Sequence, residues 1–178
     1  MCKLRRSGSD GFTLMELLVV LAIVAVLAAS ATFVTRHARI RTTEAAALAA
    51  LKAITQAQFT YMQTCGNGRY APTLVALGAA APGNESGFIS PDLAASDPLQ
   101  KSGYRFELRG TEVLDASLTC TDLVPLETYR LTADPVSPGA SGNRFFATNT
   151  DRVVYADGES FADDMPETGA PDHGEEIR

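Results

Sequence analysis

The sequence predicts an α+β protein, one long N-terminal α-helix packed on a small antiparallel β-sheet. Three observations predict it. No Gly or Pro interrupts the chain from Phe12 to Cys65, the apolar residues of that stretch change from all-round to one-faced, and short alternating segments follow from Tyr104 onward. A length of 178 residues with 46% hydrophobic side chains suits one modest domain plus a hydrophobic segment.

The first element is the run from Phe12 to Val34, whose only charge is Glu16. Its 23 residues are enough to cross a bilayer with some tilt. Lys3, Arg5 and Arg6 precede it, and Arg36, Arg39 and Arg41 follow it as an anchor for lipid headgroups. Three readings compete: a cleaved secretory signal ending at Ala29-Ser30-Ala31, a plain single-span anchor, or a helix used first in a membrane and then in an assembly. An h-region gains nothing from a carboxylate, whereas an intramembrane acid is costly enough to point to function. A signal peptide also ends at a break, and here helix-forming residues continue.

The second element, residues 36–64, is rich in Ala and other helix-formers. Leu48, Leu51, Ile54, Phe59, Tyr61 and Met62 fall on one face at helical spacing, so this half is predicted to be amphipathic and to cover a domain. Together the halves would make one helix of about 80 Å. "CGNGRY" then stops it, with two glycines flanking Asn67.

Residues 65–158 are predicted as the β-rich domain. After loops and one helical turn at 73–77, Tyr104, Phe106 and Leu108 alternate with Arg105, Glu107 and Arg109. "EVLDASLTC", "TYRLTADP", "NRFFATNT" and "RVVYAD" are further predicted strands, with one sheet face free to cover the helix. Residues 159–178 hold seven acids against Arg178 alone, and so carry the whole net charge of −6. They are predicted to be a flexible acidic tail.

Chemistry is sparse. His37 lies among arginines and His173 in the tail, and neither has partners for a triad or a zinc site, so both are expected to be solvated. Asp151 and Asp157, with Asp163 and Asp164, are weak candidates for Ca²⁺, but their spacing matches no EF-hand loop. No other cofactor and no enzymatic activity are expected. Lys and Arg never gather with aromatics, so nucleic acid is not an expected partner. Of the three cysteines, Cys2 lies in the segment most open to cleavage. Its removal leaves Cys65 and Cys120 to form a disulfide in an oxidising compartment or to stay as two buried thiols.

Residues 11 to 29, "GFTLMELLVVLAIVAVLAA", resemble the prepilin segment of type IV pilins and type II secretion pseudopilins: Gly, Phe, Thr and Leu after a short basic leader, with a glutamate five places beyond the Gly. The resemblance is close over 11 to about 60 and loose over the rest. It implies that a prepilin peptidase and N-methyltransferase removes residues 1–11, cutting between Gly11 and Phe12 and methylating the new amine. Gly11 fits such a cut because it lacks a side chain. Loss of Cys2 would resolve the cysteine parity, with Cys65 and Cys120 stapling the outer domain.

The resemblance further implies that Glu16 pairs with the N-terminal amine of a neighbouring subunit. Two charges that are each costly in an apolar bundle are tolerable together, so such a pair sets register more than it adds stability. Phe12, Glu16, Leu17, Leu21 and Val24 would carry helix packing in a filament, with residues 12–35 as its core. The implied partners are other copies and other pilins, the inner-membrane assembly platform, and membrane lipid before assembly. The implied location is the bacterial inner membrane as a single-pass precursor, then an extracellular pilus or a periplasmic pseudopilus. Relatives often kink the helix with a Pro where this chain has Phe33, and Asp10 is unusual before the Gly. Against the filament reading stands a soluble secreted binding protein starting near Thr32.

Overall fold

A computed structural model describes the backbone of residues 11–177 and the side chains of all of these but 29–35. The leader with Cys2 and Asp10, and the side chains of Ala29, Ser30, Ala31, Thr32, Phe33, Val34 and Thr35, lie outside the described residues. The contacts divide the chain into two units, residues 1–38 and 39–178.

Helix α1 spans Leu14–Thr64, and its second half belongs to the larger unit. There most of the predicted face is buried: Leu51, Ile54 and Tyr61 are fully buried, and Leu48 and Met62 pack against the same core, while Phe59 is only half-buried, with the Arg152 guanidinium 4.2 Å from its ring centre. Ala47, Ala57 and Gln58 join them, which keeps the buried stripe at helical spacing while letting the sheet approach closely. Gln58 is the one large polar group on this face. Its Nε2 donates to the Ala71 carbonyl at 3.0 Å and its Oε1 accepts the Ala71 N–H at 2.8 Å, so the amide is satisfied in both senses.

The helix ends where "CGNGRY" predicts. Cys65 and Gly66 N–H groups both return to the Tyr61 carbonyl, and Asn67 and Gly68 take positive φ. A short helix, α2 (Leu74–Gly78), follows behind Thr73, whose hydroxyl caps the Ala76 N–H.

Six strands, β1 (Leu99–Lys101), β2 (Tyr104–Glu112), β3 (Leu126–Pro135), β4 (Phe145–Asn149), β5 (Val154–Asp157) and β6 (Glu175–Ile177), form one antiparallel sheet in the order β1-β2-β3-β4-β5-β6. The topology is a meander in which each strand pairs with its neighbour in sequence, with a long connection of residues 158–174 between β5 and β6. β1 turns into β2 through Ser102 and Gly103, both at positive φ, as a two-residue hairpin of matching twist demands. Tyr104, Phe106 and Leu108 point into the core as the alternation predicts, and Tyr129, Leu131, Ala133, Phe146, Val154 and Ala156 complete the inner face. The molecule is thus α+β, with the amphipathic part of a long helix packed in the core of an antiparallel sheet.

Two expectations fail. "EVLDASLTC" is not a strand beyond Glu112. The ladder shifts register between Thr111 and Glu112, the Val113 N–H donates to Pro125 across the base of a loop, and Cys120 is drawn to the end of α1, where its N–H donates to the Cys65 carbonyl at 2.8 Å. Leu114 and Leu118 are left exposed, so no strand face is available to bury them.

The second correction concerns the predicted tail of residues 159–178, whose described part, residues 159–177, is packed rather than free. Phe161 and Met165, one helical turn apart, are fully buried and form a second cluster with Ala147. The acids serve as acceptors. Glu167 takes the Thr111 N–H at 3.1 Å and its hydroxyl at 2.9 Å, together with the Thr128 hydroxyl, while Ser160 donates to Asp134 at 2.6 Å. Asn149 donates to the Pro166 and Gly169 carbonyls, so the segment is laid across β2, β3 and β4 before it returns as β6. Burial pushes the Asp134 carboxyl above its ordinary range, against the lowering effect of the Ser160 bond.

Candidate assembly site

The residues singled out for processing and assembly lie at the start of α1. Thr13 caps it. Its hydroxyl accepts the Glu16 N–H at 3.2 Å, while the Glu16 carboxylate accepts the Thr13 N–H at 3.0 Å and the Thr13 hydroxyl at 2.9 Å. This is a reciprocal capping box, T-x-x-E, which satisfies donors that a helix N-terminus otherwise leaves orphaned. The negative charge also sits at the favourable end of the helix macrodipole.

Glu16 therefore has partners within its own chain, a role the sequence reading missed although "TLME" carries the signal. A carboxylate held by two neutral donors at a helix start is oriented and retains acceptor capacity, which is what a cation arriving from another chain needs.

Around it the side chains are open. Phe12 is 82% exposed, and Leu17, Leu21 and Val24 are each more than half exposed, as are apolar residues on the other faces of this part of α1. A side chain at Gly11 would meet nothing within 4 Å among the described residues, and Gly11 and Phe12 are both exposed. So large a continuous apolar surface requires lipid or protein to cover it. Arg36, Arg39 and Arg41 are exposed farther along the helix. Among the described residues no helix is long and apolar enough to cross a membrane; the apolar run itself extends into residues 29–34, whose side chains are not among them.

The cysteine pair is bonded. Cys65 and Cys120, 55 residues apart in sequence, form a disulfide with Cα atoms 4.8 Å apart, tying the end of α1 to the β2–β3 loop. Asn67 adds a bond from its side-chain N–H to the Leu118 carbonyl at 2.9 Å.

Asp151 and Asp157 are not brought together as a cation site. Asp151 accepts the Gly169 N–H at 2.7 Å, and Asp157 accepts from Gly158 and is paired with His173. Among the described residues no group of three or more His, Cys, Asp or Glu side chains is arranged to hold a metal ion. His173 is also not the solvated residue its position in an acidic stretch predicts: its ring lies flat on Phe161 and its Nδ1 is 2.7 Å from Asp157. His37 is exposed on α1.

Comparison with known proteins bears on the N-terminal segment. The protein-family model for the prokaryotic N-terminal methylation motif matches residues 6–32. No curated protein and no solved structure matches the chain. The match covers Gly11, Phe12, Thr13 and Glu16, which lie at one capped helix start and are exposed among the described residues. Residues 6–32 thus match the prokaryotic N-terminal methylation motif, which accounts for the start of α1 and leaves the domain after it without a matched relative.

Proposed function

We propose that this chain is the precursor of a structural subunit of a type IV pilus. The observation that carries the reading is the coincidence, in one short segment, of the methylation motif, an accessible Gly11–Phe12 bond, and an exposed apolar helix start holding a single oriented carboxylate. Residues 1–11 are the leader, removed by a prepilin peptidase that also methylates Phe12. Residues 12–35 hold the precursor in the inner membrane as a single span, with Arg36, Arg39 and Arg41 at the headgroups.

On assembly the same helix moves from lipid into a bundle of its copies. Leu17, Leu21 and Val24 exchange lipid contacts for neighbouring helices, and Glu16 meets the methylated amine of an adjacent subunit. The domain of residues 39–178 stays outside, closed by its disulfide, and presents the filament's contact surface. The role is architectural rather than catalytic.

The reading is tested with Glu16→Leu. The variant is expected to lose its leader normally and to accumulate in the inner membrane, while filaments sheared from the cell surface fall by at least about tenfold, since an uncompensated ammonium in an apolar bundle opposes assembly. Undiminished filaments overturn the assembly role of Glu16. Wild-type protein that forms no surface filament and stays in the periplasm assigns the chain to a secretion pseudopilus instead.

A further inference from the structure

At the C-terminal edge of the sheet, β6 has only three residues and leaves Glu175 and Glu176 exposed, so its own ladder is a weak hold on β5. What precedes it is more specific. His173 Nδ1 lies 2.7 Å from Asp157 Oδ2, and Asp157 is the last residue of β5, the strand against which β6 is laid. The imidazole stacks on the ring of buried Phe161, with centroids 4.6 Å apart and planes 5° from parallel.

Gly174 then passes over the same ring at φ 95°, where an added Cβ would stand 2.6 Å from Phe161 Cζ. Only a glycine permits that approach. Strand β6 in turn forms one wall of a cleft of about 380 Å³ beside α1, lined by Lys52, Gln56, Arg152, Val154, Glu176 and Ile177.

We propose that Asp157 and His173 form a pH-dependent latch that holds β6 on β5 and keeps this cleft walled, and that the latch loosens as the imidazole loses its charge. The groups facing His173 are nearly all acidic: Asp157 across the bond, with Glu159 and Asp164 from the segment after β5. Arg144, at the start of β4, lines the neighbouring hollow with Asp157 and Glu175 and is the opposing cation.

The Asp157 bond and then the acidic surroundings raise the His173 pKa above its ordinary 6.5, while the same bond lowers that of Asp157 below 3.8. The signs follow by linkage. The histidine's contribution is full below 6.5 and is lost as pH rises through its raised value; the carboxylate's is full above 3.8 and is lost only as pH falls through its lowered value. The latch is therefore firmest in weakly acidic conditions, between 3.8 and 6.5, and loosens on the alkaline side as the imidazole loses its proton. Release frees an edge of β5 and opens the cleft at Glu176 and Ile177, independently of how the chain assembles.

The test is amide hydrogen exchange on the full chain in detergent at about pH 5.5 and about pH 8.5, each rate divided by the intrinsic rate at that pH. Protection of residues 175–177 is expected to fall at least about threefold at the higher pH, while that of the β2–β3 ladder stays constant. In Asp157→Asn and in His173→Gln the pH difference is expected to vanish, with residues 175–177 weakly protected at both values. Equal protection of the wild type at both values, a parallel loss in β2 and β3, or a pH difference that survives in His173→Gln each overturns the latch.

Discussion

Replacing Cys120 with serine lowers the midpoint of urea unfolding of the full chain in detergent by about 2 M. The estimate follows from closing a loop 55 residues long, which removes unfolded-state freedom equivalent to about 4 kcal/mol, divided by an urea dependence of about 2 kcal/mol per molar. The native contacts near the bond largely persist without it: the Cys120 N–H still donates to Cys65, and Asn67 still reaches Leu118. Cys65→Ser is expected to match Cys120→Ser, and the double variant to add nothing, because each breaks the same constraint. A midpoint change below about 0.5 M shows that those hydrogen bonds already restrain the β2–β3 loop without the covalent link.

Leu51→Ala costs the domain about 2–5 kcal/mol, whereas Leu17→Ala on the same helix leaves its unfolding within about 0.5 kcal/mol. Leu51 is fully buried among the inner-face residues of the sheet, and the cavity left by truncation is walled by side chains already packed against one another. Leu17 is 57% exposed and belongs to the other unit of the chain. One helix thus carries two separable duties. Urea unfolding of both variants, followed by the signal of the buried tyrosines, checks the division; equal losses contradict it.

How far these features were legible depends on what each residue shows locally. The alternation of Tyr104, Phe106 and Leu108 and the helical spacing of Leu51, Ile54 and Tyr61 are patterns of apolarity, and those positions are buried as predicted. Gln58 and Thr55 are buried on the same helix and carry no such signal, because their burial depends on partners elsewhere: Gln58 is held by Ala71, which no periodicity reveals.

The stretch after residue 158 was misread for a related reason. Average composition counts its seven acids and overlooks Phe161 and Met165, whose burial gives the segment its anchor. Its carboxylates then find donors on distant strands, as Glu167 does with Thr111 and Thr128. β1 and β6, three residues each, exist through pairing with longer neighbours rather than through local propensity.

The N-terminal segment shows the opposite limit. Gly11, Phe12 and Glu16 stand out by their pattern, but the hydrogen bonds that join Thr13 to Glu16 were overlooked beneath the apolar run. Thr13 and Glu16, at the start of the apolar run, also read as the two ends of a capping box, T-x-x-E. The cap needs nothing N-terminal to Thr13, so it would survive the cleavage after Gly11 that the proposed function requires.

The measurement that tests the central claim most directly is the mass and N-terminal peptide of the protein recovered from its native host. A chain beginning with N-methylated Phe12 is the result the proposed function predicts, with the methylation-motif match at residues 6–32 behind it. A chain that begins at Thr32, or that retains Met1, contradicts it.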